Sequence, residues 1–328
     1  MKNKYRNIFL AFGIVAVLIM IFTFDMDYQE LWANLKRAGV YLPLVLLLWL
    51  FVYLINTTSW YIIIRSGGKP GFSFARLYKF TVTGFALNYV TPVGLMGGEP
   101  YRIMELKPYI GVERATSSVI LYVMMHIFSH FCFWLSSVLL YLCLYPVGWV
   151  MGTILGTITV FCLLVAMLFV KGYQHGMAVA FVRLGSHLPF LKKKVIRFAD
   201  SHREQLENID KQIALLHQQK KGAFYAALFL EYTARVVSCL EIWLILNVLT
   251  RSVSFADCCL IAAFSSLLAN LLFFLPMQLG GREGGFALAV GGLPLSGAYG
   301  VYAALITRVR EMVWIVIGLA LMKVGNKK

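Results

Sequence analysis

Long apolar runs dominate the pattern of hydrophobic and polar positions along the chain. Six of them contain about 17 residues or more, the length that an α-helix needs to cross about 30 Å of hydrocarbon. They cover Ile8–Phe24, Tyr41–Ile64, Thr116–Tyr145, Val147–Val170, Gly222–Leu249 and Gly297–Met322. Their apolar residues are continuous rather than alternating, which excludes a transmembrane β-barrel. The pattern therefore predicts an all-α polytopic membrane protein with about six full transmembrane helices.

Two further apolar stretches are interrupted by proline and glycine. The first runs through 74–90 into a break at 91–100, and the second runs through 255–275 into a break at 276–285. A shorter helical segment follows each break, and irregular backbone at membrane depth is tolerated only where it is buried in protein or lines a polar cavity. We therefore expect two re-entrant helical hairpins. Their breaks are expected at Pro92, Gly97, Gly98, Pro276, Gly280 and Gly281.

The two broken segments look like copies of each other. Three identical pairs share one offset of 184 residues: Pro92 with Pro276, Gly97 with Gly281, and Glu99 with Glu283. The same offset carries the span at 41–64 onto 225–248, and it carries the helix after the first hairpin onto the C-terminal helix. We interpret the chain as a single membrane domain (1–328), with a first repeat at about 41–145 and a second at about 222–323.

The distribution of Lys and Arg predicts the orientation in the membrane. A hairpin returns to its own side, so the two termini, the 65–79 loop and the 171–221 segment share one face. That face holds most of the basic residues, including ten Lys and Arg between positions 171 and 221, whereas the loops of the other face hold Lys36, Arg37 and Arg251. Cytoplasmic loops carry such an excess, so we expect cytoplasmic termini and a bacterial-type inner (plasma) membrane. The two hairpins then enter from opposite faces, as in the inverted repeats of many alternating-access transporters.

The segment at about 172–221 is the sizeable extramembrane piece of this topology. Four of its apolar residues follow helical spacing and predict an amphipathic helix: Leu206, Ile209, Ile213 and Leu216. The run of three lysines at 192–194 favours contact with anionic headgroups at the cytoplasmic face, and a solvated charge run that fixes orientation explains it equally well. At about 50 residues, the segment is too small for an ordinary catalytic domain.

The composition bears on the expected partners of the protein more than on its fold class. The chain is 60% hydrophobic and 14% charged, against about 45–50% and about 25% in soluble domains. The net charge is +15 at pH 7, but the basic residues lie mostly in loops beside apolar spans, so we expect anionic lipid and no nucleic acid as a partner. The six cysteines lie within apolar helices without a CxxC pair. We interpret them as packing residues and expect no disulfide framework or zinc site.

Charged residues also occur where charges are costly. Ten ionisable residues fall at the breaks or within apolar spans: Glu99, Arg102, Glu231, Arg235, Glu241, Arg282, Glu283, Arg308, Arg310 and Glu311. At about 3 kcal/mol each, exposing them to lipid would cost about 30 kcal/mol, more than the stability of a typical fold. Structural pairing is one explanation, because five are acidic and five are basic. Two pairs have the spacing of intrahelical ion pairs: Glu231 with Arg235, and Arg308 with Glu311.

A functional role for these charges is favoured because they gather at the breaks. A helix N-terminus there offers free N–H groups and a positive dipole end, which suit a phosphate. Nearby arginines would add charge-assisted hydrogen bonds. The candidate substrate-binding residues are Glu99, Arg102, Glu231, Arg235, Arg282, Glu283, Arg308 and Arg310.

Other chemical motifs in the sequence are weak. His126 and His130 lie one helical turn apart, which raises a metal site or a proton relay, but no third ligand is identifiable and hydrogen-bonded core histidines are favoured. Gly152-x-x-x-Gly156 is typical of helix packing, and a homodimer stays open. The sequence contains no nucleophile elbow, P-loop, zinc-protease signature or dinucleotide fingerprint. We therefore expect no catalytic residue, no metal and no cofactor.

Two motifs at the breaks resemble a known family. The first is Asn88-Tyr89-Val90-Thr91-Pro92-x4-Gly97-Gly98-Glu99-x2-Arg102, and the second is Pro276-x3-Gly280-Gly281-x-Glu283, followed by a helix that contains Arg308. At these motifs, and over essentially its whole length, the chain resembles the lysylphosphatidylglycerol synthase transmembrane, or flippase-domain, family. The best-understood members move aminoacylated phospholipid between leaflets, and others of this length are often linked to glycolipid or polyprenyl-lipid pathways. The resemblance implies that 97–102 and 280–283 line a headgroup cavity with Arg308 nearby, and it does not imply lysyl transfer.

Together these features predict a lipid flippase or scramblase rather than an enzyme. A polar cavity between the two halves would accept the headgroup of a phospholipid or polyprenyl-linked lipid while the tails stay in the bilayer. Arginines would hold the phosphate, and Glu99 and Glu283 would hold an amine or a proton. One alternative is a membrane-embedded or accessory component of a glycosyl- or aminoacyl-lipid transfer enzyme. Another is a small-solute or ion-coupled transporter, which inverted hairpins alone would equally support.

Overall fold

The described part of the chain is α-helical and contains no strand. The computed structural model describes residues 32–33, 36–90, 97–175, 204, 207–208, 211, 221–250, 253–271, 281–293 and 297–323, without the side chains of 168, 170–175 and 281–283. Some predicted features lie outside these residues: Ile8–Phe24, Pro92, Pro276, Gly280 and most of the 172–221 segment. The helices are α1 (Tyr41–Ser66), α2 (Phe74–Val90), α3 (Gly98–Ile110), α4 (Val112–Leu144), α5 (Trp149–His175), α6 (Lys221–Leu246), α7 (Phe255–Leu271), α8 (Gly281–Gly291) and α9 (Gly297–Leu321).

Several of these helices suit a membrane. Within the described residues, three are long and apolar enough to cross one, judged by length and composition: α1, α4 and Trp149–Met167 of α5. Helices α6 and α9 have 26 and 25 residues, long enough to span about 30 Å of hydrocarbon, but each carries three charged residues in its interior. The all-α membrane fold is thus confirmed, whereas the number of full spans stays a prediction.

Side chains tie several helix ends together. Arg114 at the start of α4 donates to the carbonyl of Ile64 at the end of α1, at 2.8 Å. Ser254 and Asp257 exchange hydrogen bonds between side chains and backbone N–H groups, which caps the first turn of α7. The Tyr145 hydroxyl, just after α4, donates to the same Asp257 carboxylate at 2.6 Å. These bonds hold α4 against α1 at one end and against α7 at the other.

Helices α1 and α6, which the repeat offset superposes, pack extensively against each other. Trp49 lies opposite Glu241, and Ser59 lies opposite Ala227. Residue numbers on α6 therefore fall as those on α1 rise, so the two helices are antiparallel. Antiparallel packing of equivalent helices is what an inverted repeat requires, and it favours the division into two repeats, which remains a prediction.

A second pair of contacts obeys the same offset. Gly318 of α9 packs on Val82 and Thr83 of α2, with the Thr83 hydroxyl donating to the Gly318 carbonyl at 3.0 Å. In α4 and α7, Trp134 donates to the Ser266 hydroxyl at 3.0 Å. Subtracting the offset of 184 from Gly318 gives Trp134, and adding it to Val82 gives Ser266. The last helix of each half therefore packs on the first hairpin helix of the other half.

The Gly318 crossing gives a stability prediction. A Cβ at Gly318 would lie 2.5 Å from the Ala86 Cβ, so we expect Gly318→Val to lower the free energy of unfolding by about 1–3 kcal/mol through overpacking. Gly156 of α5 is the matched control, because nothing described lies within 4 Å of a Cβ there. Both variants would be followed by thermal unfolding in detergent. Equal unfolding temperatures for the two variants would contradict the close crossing.

The helices differ in what they face. Much of the described surface of α5 is apolar and exposed, as at Val160, Phe161 and Leu163, which suits contact with lipid tails. Among the described residues, the largest apolar core is instead formed by helices α1, α2, α3 and α4 together with parts of α6 and α9. It includes side chains such as Trp60 and Tyr122. Buried charges beside this core are therefore enclosed by protein rather than by lipid.

Candidate functional site

Six of the eight candidate binding residues have described side chains: Glu99, Arg102, Glu231, Arg235, Arg308 and Arg310. Four of them are buried, Glu99 and Arg235 are half-buried, and the six fall into two groups. The group named here the Arg102 cluster contains Asn88, Glu99, Arg102, His126, Glu231 and Arg235, and the Arg310 cluster contains Trp49, Glu241, Arg308, Arg310 and Glu311.

The start of α3 is built by a contact with α2. The Asn88 side chain accepts a hydrogen bond from the Gly98 N–H at 2.7 Å and donates to Glu99 at 2.9 Å. Glycine is required at 98, because a Cβ there would collide with the Gly84 carbonyl of α2. One of the free N–H groups of the α3 N-terminus is thereby satisfied, and the Glu99 carboxylate is held beside the break.

Arg102 is a buried cation among aromatic rings. Its guanidinium lies over the rings of Phe85, Tyr122 and Trp60, at 4.8, 5.2 and 5.6 Å from their centroids. It reaches one Glu99 oxygen at 3.4 Å, and only 1% of the residue is exposed. Gly84 leaves the room for it, since a Cβ at that position would meet the guanidinium. Arg102 is therefore held by cation–π contacts, one long ion pair and a hydrogen bond that it donates to the Thr81 carbonyl at 3.4 Å.

Several polar atoms around Arg102 have no hydrogen-bond partner among the described residues. They are Arg102 Nε, Trp60 Nε1, Tyr122 OH and Glu99 Oε2. Buried polar groups are nearly always bonded to protein, water or a ligand. Three of the four can donate a hydrogen bond, and all four belong to Arg102 or to side chains in contact with it, so this region suits a group that accepts hydrogen bonds and carries negative charge.

The second half of the Arg102 cluster lies between α4 and α6. His126 Nδ1 and Glu231 Oε2 are 2.8 Å apart. Arg235 donates to the Ser129 hydroxyl and to the His126 carbonyl, each at 2.6 Å. The spacing of Glu231 and Arg235 fits an intrahelical ion pair, but both side chains turn across the interface and bond to α4.

Aromatic side chains connect the two halves of the Arg102 cluster. The Phe85 ring lies 5.6 Å from the His126 ring, and the Tyr122 ring lies 6.4 Å from it. Both rings also contact the Arg102 guanidinium. Charges from α3, α4 and α6 thus share one enclosed region bordered by α2.

The Arg310 cluster is held together by ion pairs among its own members, although Arg310 Nη1 has no hydrogen-bond partner among the described residues. Arg310 binds both oxygens of Glu241, at 2.8 and 2.9 Å. Trp49 donates to the same carboxylate at 2.8 Å, and its ring lies 3.7 Å below the guanidinium. Glu311 lies 3.7 Å from Arg310 and 3.6 Å from Arg308, so the predicted pairing of Arg308 with Glu311 is confirmed. Such bidentate geometry is typical of a structural ion network.

The second break is described only in part. Helix α8 begins at Gly281, as α3 begins at Gly98 after Gly97, so the two segments start at nearly equivalent positions. The side chains of Arg282 and Glu283 lie outside the described residues. Their binding role and the re-entrant path of both hairpins stay predictions.

Sequence reasoning missed several contributors. Glu105 of α3 is buried. It lies outside the predicted apolar spans, and its position one helical turn after Arg102 is the sequence feature that could have indicated its burial. Sequence reasoning did not identify Trp49, Trp60 and Tyr122, because an apolar run does not indicate which residue an aromatic side chain will contact. His126, interpreted as a core histidine, pairs with a carboxylate. Within the described residues no group of three or more potential ligands is placed to hold a metal ion.

Comparison with known proteins agrees with this architecture. A family model described as the lysylphosphatidylglycerol synthase TM region matches residues 8–319. The comparisons with curated proteins and with solved structures each found no match. The matched family indicates a function related to membrane lipid. Since the match covers nearly the whole chain, including both breaks and all of the buried charges, the protein belongs to the lysylphosphatidylglycerol synthase transmembrane-region family.

Proposed function

We propose that this protein is a lipid flippase or scramblase without catalytic activity of its own. Its substrate would be a phospholipid or a polyprenyl-linked lipid, whose headgroup crosses through the protein while its tails remain in the bilayer. The observation that carries the proposal is the Arg102 cluster, in which buried Arg102 and the two neighbouring side chains Trp60 and Tyr122 each have a donor without a partner among the described residues. A headgroup phosphate is an acceptor with negative charge, and it needs such partners once it leaves water.

The two charged clusters would then have different roles. The Arg310 cluster is neutral, and each of its charges has an oppositely charged neighbour, so we assign it to holding α1, α6 and α9 together. The Arg102 cluster has a weak ion pair at 3.4 Å and would exchange its partner for the phosphate. Glu99, which is 18% exposed, would receive an amine where the headgroup carries one.

The antiparallel packing of α1 and α6 supports a route for alternating access. In inverted-repeat transporters one half rocks against the other around a central site. Here the charged regions lie along the interface of the two halves, and α3, which carries Arg102, begins just after the first predicted break. Cytoplasmic termini in a bacterial-type inner membrane, contact with anionic lipid at that face, and a homodimer remain part of the proposal.

Lipid transfer between leaflets tests the function directly. The purified protein would be reconstituted into vesicles with fluorescent phosphatidylglycerol, phosphatidylethanolamine, lysylphosphatidylglycerol or a polyprenyl phosphate lipid. The label that becomes accessible to a membrane-impermeant quencher would be followed over time. We expect faster exchange than in protein-free vesicles for at least one headgroup. No acceleration for any of the four classes would refute the proposal, and product formation from an activated donor would favour a transfer enzyme instead.

A further inference from the structure

The two repeats place a basic side chain at the same position of their last helix. The offset of 184 residues carries His126 of α4 onto Arg310 of α9. Each of them faces a glutamate of α6: His126 faces Glu231 at 2.8 Å, and Arg310 faces Glu241 at 2.8 Å. Arginine keeps its charge at any physiological pH, whereas histidine gains and loses a proton near neutrality. The same structural position is therefore permanently charged in one half and titratable in the other.

The two pairs also differ in how completely they are bonded. Glu241 receives two bonds from Arg310 and one from Trp49. Glu231 has one bond, to His126, and its second oxygen has no partner among the described residues. Buried polar atoms are nearly always bonded to protein, water or a ligand. The second Glu231 oxygen is therefore open to a further donor, whereas both Glu241 oxygens are bonded.

Access to Glu231 runs through His126. Glu231 is fully buried, whereas 30% of the His126 side chain is exposed. A proton that arrives from water would bind the exposed imidazole at Nε2. The proton on Nδ1 would then pass along the 2.8 Å hydrogen bond to Glu231 Oε2. One proton enters and one carboxylate is neutralised, and the imidazole is left in its other neutral tautomer.

Other charged groups face the pair from every neighbouring helix that carries them. Arg235 of α6 and Arg102 of α3 act on His126, and His130 lies one turn away on α4. Four further titratable side chains complete the surroundings: Glu99 of α3, Tyr53 of α1, Tyr89 of α2 and Tyr122 of α4. When His126 is neutral, the charges of the two glutamates and the two arginines in the Arg102 cluster cancel, so the net charge of the cluster is zero. One added proton makes it positive, which favours an anionic headgroup.

From this arrangement we propose that the His126–Glu231 pair is a proton-binding site, and that its proton and the anionic headgroup bind together. The coupling to lipid rests on the proposed function, but the proton site does not. Binding of the proton supplies the unbalanced positive charge that the phosphate neutralises. Release of the proton on the other side removes that charge and releases the lipid.

Variants at the two histidines separate coupling from simple packing. We expect the lipid-transfer rate of the wild type to change by roughly tenfold between about pH 5 and pH 8, the range in which histidine titrates. His126→Gln removes the proton carrier, and His126→Arg installs the permanent charge found at position 310. Both should flatten the profile to less than about twofold, whereas His130→Gln should keep the wild-type profile. Elution as a single species in detergent would verify folding of each variant.

A spectroscopic measurement tests the proton site without lipid transfer. Infrared difference spectra of the reconstituted wild type, recorded between acid and neutral pH, should contain the C=O band of a protonated buried carboxyl group. Glu231→Gln should lose this band, and His130→Gln should keep it. If the wild type moves lipid with a pH profile that His126→Gln leaves unchanged, the coupling is refuted and the flippase stands. If no lipid moves at any pH, the proposed function fails, and the infrared band alone decides the proton site.

Discussion

We expect Arg310→Met to lower the free energy of unfolding by about 3–5 kcal/mol, because it leaves the Glu241 carboxylate buried without its charge partner. Arg310 is 2% exposed and supplies two of the hydrogen bonds that Glu241 receives. Neighbouring Glu311 would also lose a cation at 3.7 Å. Thermal unfolding in detergent, read from tryptophan fluorescence and from the monodisperse fraction after heating, measures the loss.

The paired variant distinguishes the buried charge from lost packing. Arg310→Met combined with Glu241→Leu removes both charges and keeps apolar volume, so the double variant should be more stable than the sum of the single effects predicts. Arg76 is a matched control because it is exposed. Its guanidinium lies over the Tyr109 ring and donates a hydrogen bond to the Tyr109 hydroxyl. We expect little change for Arg76→Met. A single Arg310→Met variant as stable as the wild type would overturn the structural role of the Arg310 cluster.

The second large effect should appear in lipid transfer. Removing a hydrogen bond to a charged group costs about 1.5–3 kcal/mol, which corresponds to roughly a 10- to 150-fold lower rate if Arg102 binds the phosphate. Arg102→Gln should therefore lose nearly all transfer activity. Arg102→Lys should recover part of it, since lysine keeps the charge but not the planar fork. The vesicle assay described above provides the measurement.

Two further variants locate this effect. Gly84→Ala adds a methyl group where the Arg102 guanidinium lies, and it should lower the rate without removing any charge. Arg76→Gln changes an arginine that also stacks on a tyrosine, at 5.1 Å, but lies on the surface, and it should transfer lipid at the wild-type rate. Unchanged transfer by Arg102→Gln in a folded protein would exclude Arg102 from the lipid site.

The contrast between the two clusters follows from bonding rather than from charge content. Each contains at least one buried arginine and one buried glutamate. Arg310 meets its glutamate in bidentate geometry at 2.8 and 2.9 Å, whereas Arg102 reaches Glu99 only at 3.4 Å. Each guanidinium also leaves one nitrogen without a hydrogen-bond partner among the described residues. A network with short bidentate bonds resists opening, and one with a long ion pair gains free energy from a suitable ligand. We therefore expect variants at Arg102 to change lipid transfer and variants at Arg310 to change stability.

Much of the helical layout was predictable from the sequence. Continuous apolar runs identified α1, α4, α5, α6 and α9 within a few residues of their ends. Helix α3 begins at Gly98, next to the expected break at Gly97, because proline and glycine interrupt a helix through local backbone effects. The pairing of Arg308 with Glu311 was also predictable, since residues three apart on one helix share a face.

Other parts of the site were not predictable in this way. The spacing of Glu231 and Arg235 fits an intrahelical pair, but both side chains bond to α4. Neither His126 as the partner of Glu231 nor Trp49 as the partner of Glu241 could be read from spacing, because the residues are 105 and 192 positions apart. Such pairs form only when two helices pack at one rotation and one height.

The sequence by itself determined that the chain lies in a membrane, that it is α-helical, where most of the described helices lie, and to which family it belongs. These depend on the length of apolar runs and on local backbone chemistry, which neighbouring residues set. Only the tertiary structure decided how each buried charge is bonded. The predicted repeat offset relates Arg310 to His126, yet the glutamate that faces Arg310 receives three hydrogen bonds, one of them from Trp49, whereas the glutamate that faces His126 has one. The physical reason is that the stability of a buried charge depends on the number and geometry of its partners, and helix packing supplies those partners from distant parts of the chain.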